Sequence, residues 1–177
     1  MKPNLSRLLV SMAVILLLVS CSKELPENTA ENYFFKAKFN GVEKSFLTRS
    51  SATRYGMDGK FVLSIIASMG NQTSSISLWS KDNSFKEGNS FNTESAGSSS
   101  NNSFDYTSNQ LSGHPETSFG SVYIGGDNVL ENFNCKLTEV TSTYVRGTFE
   151  ADLYSRSAIN PSKILVRDGE FYVRLQQ

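Results

Sequence analysis

Two carboxylates, two residues apart, are the first side chains in this sequence that could do chemistry together. Glu150 and Asp152 fall on the polar face of a predicted strand, where alternate side chains point the same way about 7 Å apart. Carboxyl groups at such a separation can serve glycoside hydrolysis. Arg146 is predicted on the same face, and alternating charge is typical of a solvated sheet surface. We therefore favour a solvated surface over a catalytic pair.

Other candidates for catalysis or metal binding are weak. His114 is the single histidine of the chain, so sites of several histidines are excluded and we expect a solvated loop residue. Asp127, Asn128 and Glu131 follow Gly125-Gly126 and could offer oxygen ligands to calcium. They lack the spacing of an EF-hand loop, so a turn with exposed acids is the better interpretation. We expect no metal, no cofactor and no catalytic residue.

Three aromatic residues are predicted on polar strand faces and are our candidates for ligand binding. Trp79 shares its face with serines, while the other face of its strand is aliphatic. Tyr144 and Tyr154 begin and end the polar face that also holds Glu150. Such rings could present a flat platform to a sugar ring or a partner protein. The alternative is that they pack in a second layer or a barrel interior, as large aromatics usually do.

Alternation of apolar and polar residues, which is typical of half-buried strands, runs through most of the chain. It predicts strands over 33–39, 42–46, 61–67, 75–79, 104–107, 121–124, 133–138, 144–154, 164–166 and 171–175. Asn40-Gly41 fits a type I′ hairpin turn, in which both residues have positive φ, and Asp168-Gly169 predicts a second turn. Low-complexity residues 95–103 and residues 109–118 are predicted as loops.

These elements predict an all-β domain, an antiparallel β-sandwich of about 8–10 strands. A closed or partly open, lipocalin-like β-barrel is the alternative. The chain carries 17 basic and 17 acidic residues and shows no basic cluster, which argues against a nucleic-acid partner.

The N-terminus has the features of a secretory signal. Lys2 and Arg7 precede an apolar stretch, Leu8 to Ser20, whose length as a helix is about 20 Å, short of the roughly 30 Å needed to span a bilayer. We therefore predict a signal peptide over residues 1–20, with a transmembrane anchor as the less favoured alternative. Leu18-Val19-Ser20-Cys21 looks like the lipobox of bacterial lipoproteins. That resemblance implies cleavage after Ser20, a lipid on the Cys21 sulfur and acylation of the new amine.

Several acyl chains on one cysteine would anchor the protein permanently, since one chain alone binds a membrane only marginally. The Cys21 thioether could not form a disulfide, which leaves Cys135 as an unpaired thiol, predicted to be buried between Phe133 and Leu137. Residues 21–31 are polar and lack periodicity, so they predict a flexible tether, followed by one domain over 32–177. Ser22-Lys23-Glu24 is similar in part to the surface-export signal of Bacteroidota lipoproteins, and an ordinary charged linker is the equal alternative.

The order of motifs resembles a large group of Bacteroidota lipoproteins of unknown function. The matching segments are residues 35–41, Gly88-Asn89-Ser90-Phe91, Arg146-Gly147-Thr148-Phe149-Glu150-Ala151 and Asp168-Gly169-Glu170-Phe171-Tyr172-Val173. They consist of turn glycines and core aromatics, so the resemblance implies a fold and an outer-membrane location, facing the periplasm or the cell surface. It implies no catalytic residue.

The sequence therefore predicts a lipid-anchored, non-enzymatic binding module of the cell envelope. Its partner would be a glycan, a peptide or an envelope protein. A structural accessory subunit of an outer-membrane assembly is the second reading, and a hydrolase is the third.

Overall fold

The computed structural model describes residues 33–57, 59–93, 102–108, 118–125, 128–155 and 161–176. Thirteen strands account for most of them: β1 (Phe34–Phe39), β2 (Val42–Ser45), β3 (Arg49–Met57), β4 (Lys60–Met69), β5 (Gln72–Ser80), β6 (Ser90–Asn92), β7 (Ser103–Thr107), β8 (Ser118–Gly120), β9 (Val122–Gly125), β10 (Asn128–Glu131), β11 (Phe133–Val140), β12 (Tyr144–Ser155) and β13 (Lys163–Gln176). The all-β prediction is confirmed, with more strands than the expected 8–10. Over these ranges the chain forms no helix of the length and apolarity that crossing a membrane requires.

Eleven strands form one sheet in the order β2-β1-β13-β3-β4-β5-β7-β8-β12-β11-β6, while β9 and β10 form a separate two-stranded sheet. β12 also pairs with β13, so hydrogen bonding continues around a ring. The sheet folds into two layers. We name the layer β2-β1-β13-β12-β11-β6 sheet A and the layer β3-β4-β5-β7-β8 sheet B. All pairs are antiparallel except β13 with β3.

The two longest strands join the layers. Along one edge β13 pairs first with β1 and then, from Arg174 to Gln176, with β3 of sheet B. β12 pairs with β11 and then, at Tyr154 and Ser155, with β8 of sheet B. Each strand therefore passes from one sheet into the other at opposite corners of the sandwich.

Aromatic rings fill the space between the sheets. Phe35 and Phe149 of sheet A pack against Phe104 of sheet B, with ring centroids 6.2 and 5.1 Å apart. Phe39 lies 4.8 Å from Tyr106 in the same way. These rings are 5% exposed or less, so they form the continuous apolar core of the domain.

Gly147 and Gly169, which belong to the motifs of the family resemblance, must be glycines for the same structural reason. Gly147 pairs with Phe171 and Phe149 pairs with Gly169 across β12 and β13. A Cβ on Gly147 would lie 2.4 Å from the Phe171 ring and 2.6 Å from the Lys136 carbonyl oxygen, and one on Gly169 would lie 2.5 Å from the Phe149 carbonyl oxygen. Each ring therefore occupies space that only a glycine across the strand leaves open.

The two predicted turns have different outcomes. Asn40 and Gly41 have φ of 49° and 82°, so the hairpin between β1 and β2 is confirmed. The prediction of a turn at Asp168-Gly169 is wrong, because these residues lie inside the continuous strand β13. β13 has one residue more than its partners between Val166 and Gly169, and Asp168 adopts φ of 52°. This is a β-bulge, which bends a strand without ending it.

Four strands were not predicted: β3, β6, β8 and β10. In β3 only Ala52 is buried, so the strand has no apolar alternation to detect. β6 and β8 have three residues each. Much of the two predicted loops, including His114, lies outside the described residues, although Ser103 and Ser118 at their ends begin strands. Cys21 and the tether also lie outside the described residues.

Cys135 is buried between sheet neighbours, as predicted, and is 3% exposed. Burial raises the pKa of its thiol far above the ordinary value, because a thiolate there would lose its hydration. The side chain is therefore an inert apolar member of the core.

We predict that Gly147→Ala destabilises the domain by about 1–3 kcal/mol, because the added methyl group must displace the Phe171 ring or the Lys136 backbone. Gly56→Ala is the matched control in β3, where the nearest atom is 3.9 Å away. Its effect should be within about 1 kcal/mol. Urea unfolding measures both, and equal midpoints for the two variants would contradict the close packing of β12 on β13.

Candidate functional site

Four aromatic side chains gather on the outer face of sheet A. Tyr172 lies at the centre, with ring centroids 5.1 Å from Tyr33, 5.0 Å from Tyr144 and 6.2 Å from Phe34. All four residues are half-buried, so each ring still presents surface to solvent. We name these four residues the aromatic cluster.

Strand alternation and register produce the cluster. In β13, Phe171 and Val173 point into the core, which turns Tyr172 outward. β1 places Phe34 opposite Tyr172, and β12 places Arg146 opposite it on the other side. Tyr144 is two residues before Arg146 and therefore shares its face.

Charged groups fix the rings and border them. The Arg146 guanidinium lies 5.3 Å from the centre of the Tyr172 ring, and Lys36 Nζ lies 5.5 Å from that of Phe34. The Tyr144 hydroxyl donates a hydrogen bond to the Glu139 carboxylate, and this bond raises the pKa of Tyr144. The tyrosine is thus held neutral and oriented, which favours a rigid surface.

A polar groove of about 520 Å³ lies beside the cluster on the same face. The side chains that line it on this face are polar: Ser90, Asn92, Asn134, Lys136, Thr148, Glu150 and Glu170. Thr148 and Glu170 are paired and lie one alternation, about 7 Å, from Arg146 and Tyr172. The groove also reaches Asp168 and Gly169, at the bulge of β13. It offers amide, hydroxyl, carboxylate and ammonium groups to one ligand.

The three aromatic residues singled out from the sequence lie in different places. Tyr144 belongs to the aromatic cluster, and Tyr154 is ten residues further along β12, about 33 Å away. Trp79 is half-buried on the outer face of sheet B. Val62 lies directly across the strand from Trp79 and is 1% exposed despite its outward position, so neighbouring side chains cover it. This burial favours the packing alternative for Trp79.

Sequence reasoning missed Tyr172, Phe34 and Tyr33 as surface residues. Tyr33 is two residues before the core residue Phe35 and shares its place in the alternation, and Phe34 directly precedes Phe35. Tyr172 stands between the core residues Phe171 and Val173. The available signal was period two: Tyr172 is two residues from both Glu170 and Arg174 and shares their face, so its outward position could have been read from β13 alone.

The carboxylate pair has two separate environments. Glu150 is exposed in the groove, as a solvated face predicts, but Asp152 is 7% exposed, so the solvated interpretation is wrong for it. The Asp152 carboxylate accepts hydrogen bonds of 2.7 Å from both Lys163 and Arg167. Burial alone would raise the pKa of Asp152, yet hydrogen bonds with these two cations and Asn132 outweigh it and lower the pKa. Asp152 is therefore an ionised structural group.

Metal ligands are not assembled in the part of the chain that the structure describes, where no three His, Cys, Asp or Glu residues form a group able to hold an ion. Asn128 to Glu131, part of the calcium candidate, form strand β10 instead of a turn, while Asp127 lies outside the described residues.

No family model matches the chain, and no curated protein or solved structure does.

We predict that Asp152→Asn lowers the free energy of unfolding at pH 7 by about 1–3 kcal/mol, since hydrogen bonds to a charged group are lost. Because the folded-state pKa is lowered, the ionised group stabilises the fold fully above the unfolded pKa of about 3.9. That contribution disappears as the pH falls through the folded pKa.

The measurement is urea unfolding of the wild type and the variant between pH 7 and pH 3. Their difference should shrink toward the acid end of the range. Glu150→Gln, which alters an exposed carboxylate of the same strand, should change stability by less than about 0.5 kcal/mol. A difference for Asp152→Asn that stays constant with pH would contradict the ion-pair role.

Proposed function

We propose that this protein is a non-enzymatic binding module that is lipid-anchored in the cell envelope and binds a glycan on the outer face of sheet A. The observation that carries the proposal is the aromatic cluster beside the polar groove. Rings that are already packed lose little conformational entropy when a ligand stacks on them. A sugar has an apolar C–H face for such a ring and hydroxyl groups for the groove.

The surroundings of the groove support binding over catalysis. Asp152 is engaged by two cations and is not available to Glu150 as the second carboxylate of a hydrolytic pair. The other carboxylates at the groove, Glu170 and Asp168, are paired with Lys36 and Lys38. Side chains of the groove both donate and accept hydrogen bonds, which suits a ligand with many hydroxyl groups. A protein partner could bind the same surface, and experiments must distinguish that role from glycan binding.

The location proposed here rests on the sequence. A signal over residues 1–20, a lipid on Cys21 and a tether over 21–31 would hold the domain at the outer membrane. The first described residue, Tyr33, belongs to the aromatic cluster. The tether would therefore join the domain next to the proposed ligand surface.

We expect the full chain, solubilised in detergent, to bind members of a broad glycan array and to be retarded in gels containing the polysaccharide they represent. Tyr172→Ala should weaken binding about threefold to tenfold, the loss of one aromatic contact. Tyr55→Ala, which removes an exposed ring from sheet B, should bind as the wild type does. Circular dichroism confirms that each variant is folded.

An array without hits for folded protein overturns the glycan proposal. Mild crosslinking of intact envelope, followed by detergent extraction, then distinguishes the accessory-subunit reading. One protein partner recovered in constant ratio, and lost in Tyr172→Ala, would support that reading.

We expect cells that make the wild-type chain to incorporate labelled palmitate into it and to retain it in the membrane fraction. Cys21→Ala should lose both properties, because the proposed attachment sulfur is gone. Cys135→Ala removes the buried thiol and should keep the label. Incorporation of palmitate into Cys21→Ala would contradict the lipidation site.

A further inference from the structure

A second groove lies at the corner where β13 leaves sheet A to pair with β3. Its volume is about 540 Å³, and we name it the corner groove. Its lining residues are polar or basic apart from Tyr33 and Leu47: Thr48, Arg49, Ser50, Ser51, Thr143, Arg174 and Gln176. Among the described residues its lining holds no carboxylate side chain, so its charged side chains are two arginines.

Two arginines give the corner groove its charge. Arg174 pairs with Ser51 in the parallel ladder, and Arg49 precedes Ser51 by two residues on the same face. The two Cα atoms are therefore about 8 Å apart, a distance that lets both guanidinium groups reach one anionic group. Both residues are exposed.

Neither arginine is neutralised by the residues that the structure describes. The ion pairs there join Lys36 to Glu170, Lys38 to Asp168, and both Lys163 and Arg167 to Asp152. The Glu139 carboxylate, on the nearby strand β11, accepts the hydrogen bond of Tyr144. Guanidinium groups present a planar fork that matches a carboxylate, sulfate or phosphate, so the unneutralised pair suits an anion.

The corner groove is continuous with the aromatic cluster. Tyr33 lines the groove and packs against Tyr172 at 5.1 Å. Arg174 lies directly across the ladder from Tyr144. A ligand whose ring stacks on the cluster therefore has the two guanidinium groups within the reach of one sugar unit.

We infer that the glycan is acidic, and that Arg49 and Arg174 bind its carboxylate or sulfate groups while the aromatic cluster holds the adjoining ring. This inference rests on the proposed glycan-binding function and specifies its ligand class. Serine and threonine hydroxyl groups of the corner groove add neutral donors to the same anion.

Affinity gels test the charge of the ligand directly. The detergent-solubilised full chain is run in gels that contain polygalacturonate, dextran sulfate, or the neutral counterparts methyl-esterified polygalacturonate and dextran. We expect retardation by at least one acidic polymer with at least tenfold tighter binding than by its neutral counterpart, and weakening as salt is raised.

Two double variants test whether the acidic polymer binds at the corner groove. Arg49→Gln/Arg174→Gln should weaken binding to the acidic polymer at least tenfold. Lys81→Gln/Lys86→Gln removes two exposed charges that line neither groove, and Lys81, just after the far end of β5, lies about 25 Å from Arg49. This variant should bind as the wild type does. Thermal unfolding confirms that both double variants are folded.

Each other result overturns the inference. Equal retardation by the acidic and neutral polymers would leave the glycan proposal standing and remove the acidic specificity. Equal weakening of binding in the two double variants would mean that the net charge of the protein, and not the corner groove, determines binding to the acidic polymer. No retardation by either acidic polymer overturns it as well, and arginine-dependent binding to phosphatidylglycerol vesicles would then assign the corner groove to a lipid surface.

Discussion

The contact between a glycine and a phenylalanine ring across β12 and β13 is the constraint on which the rest of the structure depends. It occurs twice in opposite senses, Phe171 against Gly147 and Phe149 against Gly169. These contacts bring the two longest strands together at the centre of sheet A, and each of those strands continues into sheet B. The closure of the sandwich therefore depends on two positions that tolerate no side chain.

The same two strands divide their residues between stability and recognition. Inward positions hold the rings that fill the core, and outward positions hold Tyr172, Tyr144 and Arg146 of the proposed ligand surface. Because a strand alternates its faces, rigidity gained in the core is transmitted to the outer side chains through one shared backbone. The bulge at Asp168 bends β13 beside the polar groove, so a local irregularity contributes to the shape of the surface.

Local sequence predicted the parts of the fold that local chemistry determines. Alternation identified the core strands, and Asn40-Gly41 fixed the first hairpin because both residues accept positive φ. Asp168-Gly169 has similar chemistry but forms a bulge, since partners on both sides of β13 hold the strand in its sheet. The aromatic cluster unites residues from three strands, and only the strand order, which alternation does not encode, brings Tyr172 to Tyr33 and Tyr144.

Strand β13 also determines when the domain can fold. Of the strands in the described residues it is the last, yet it pairs with β1, the first of them, through Phe34 and Tyr172, and with β3. Contacts between the ends of a chain close slowly because they carry the largest loop entropy. Until synthesis reaches β13, β1 and β3 each lack one of their two sheet neighbours and the sandwich stays open. A chain with this strand order would stay open, and so able to thread through a narrow channel, until β13 was complete.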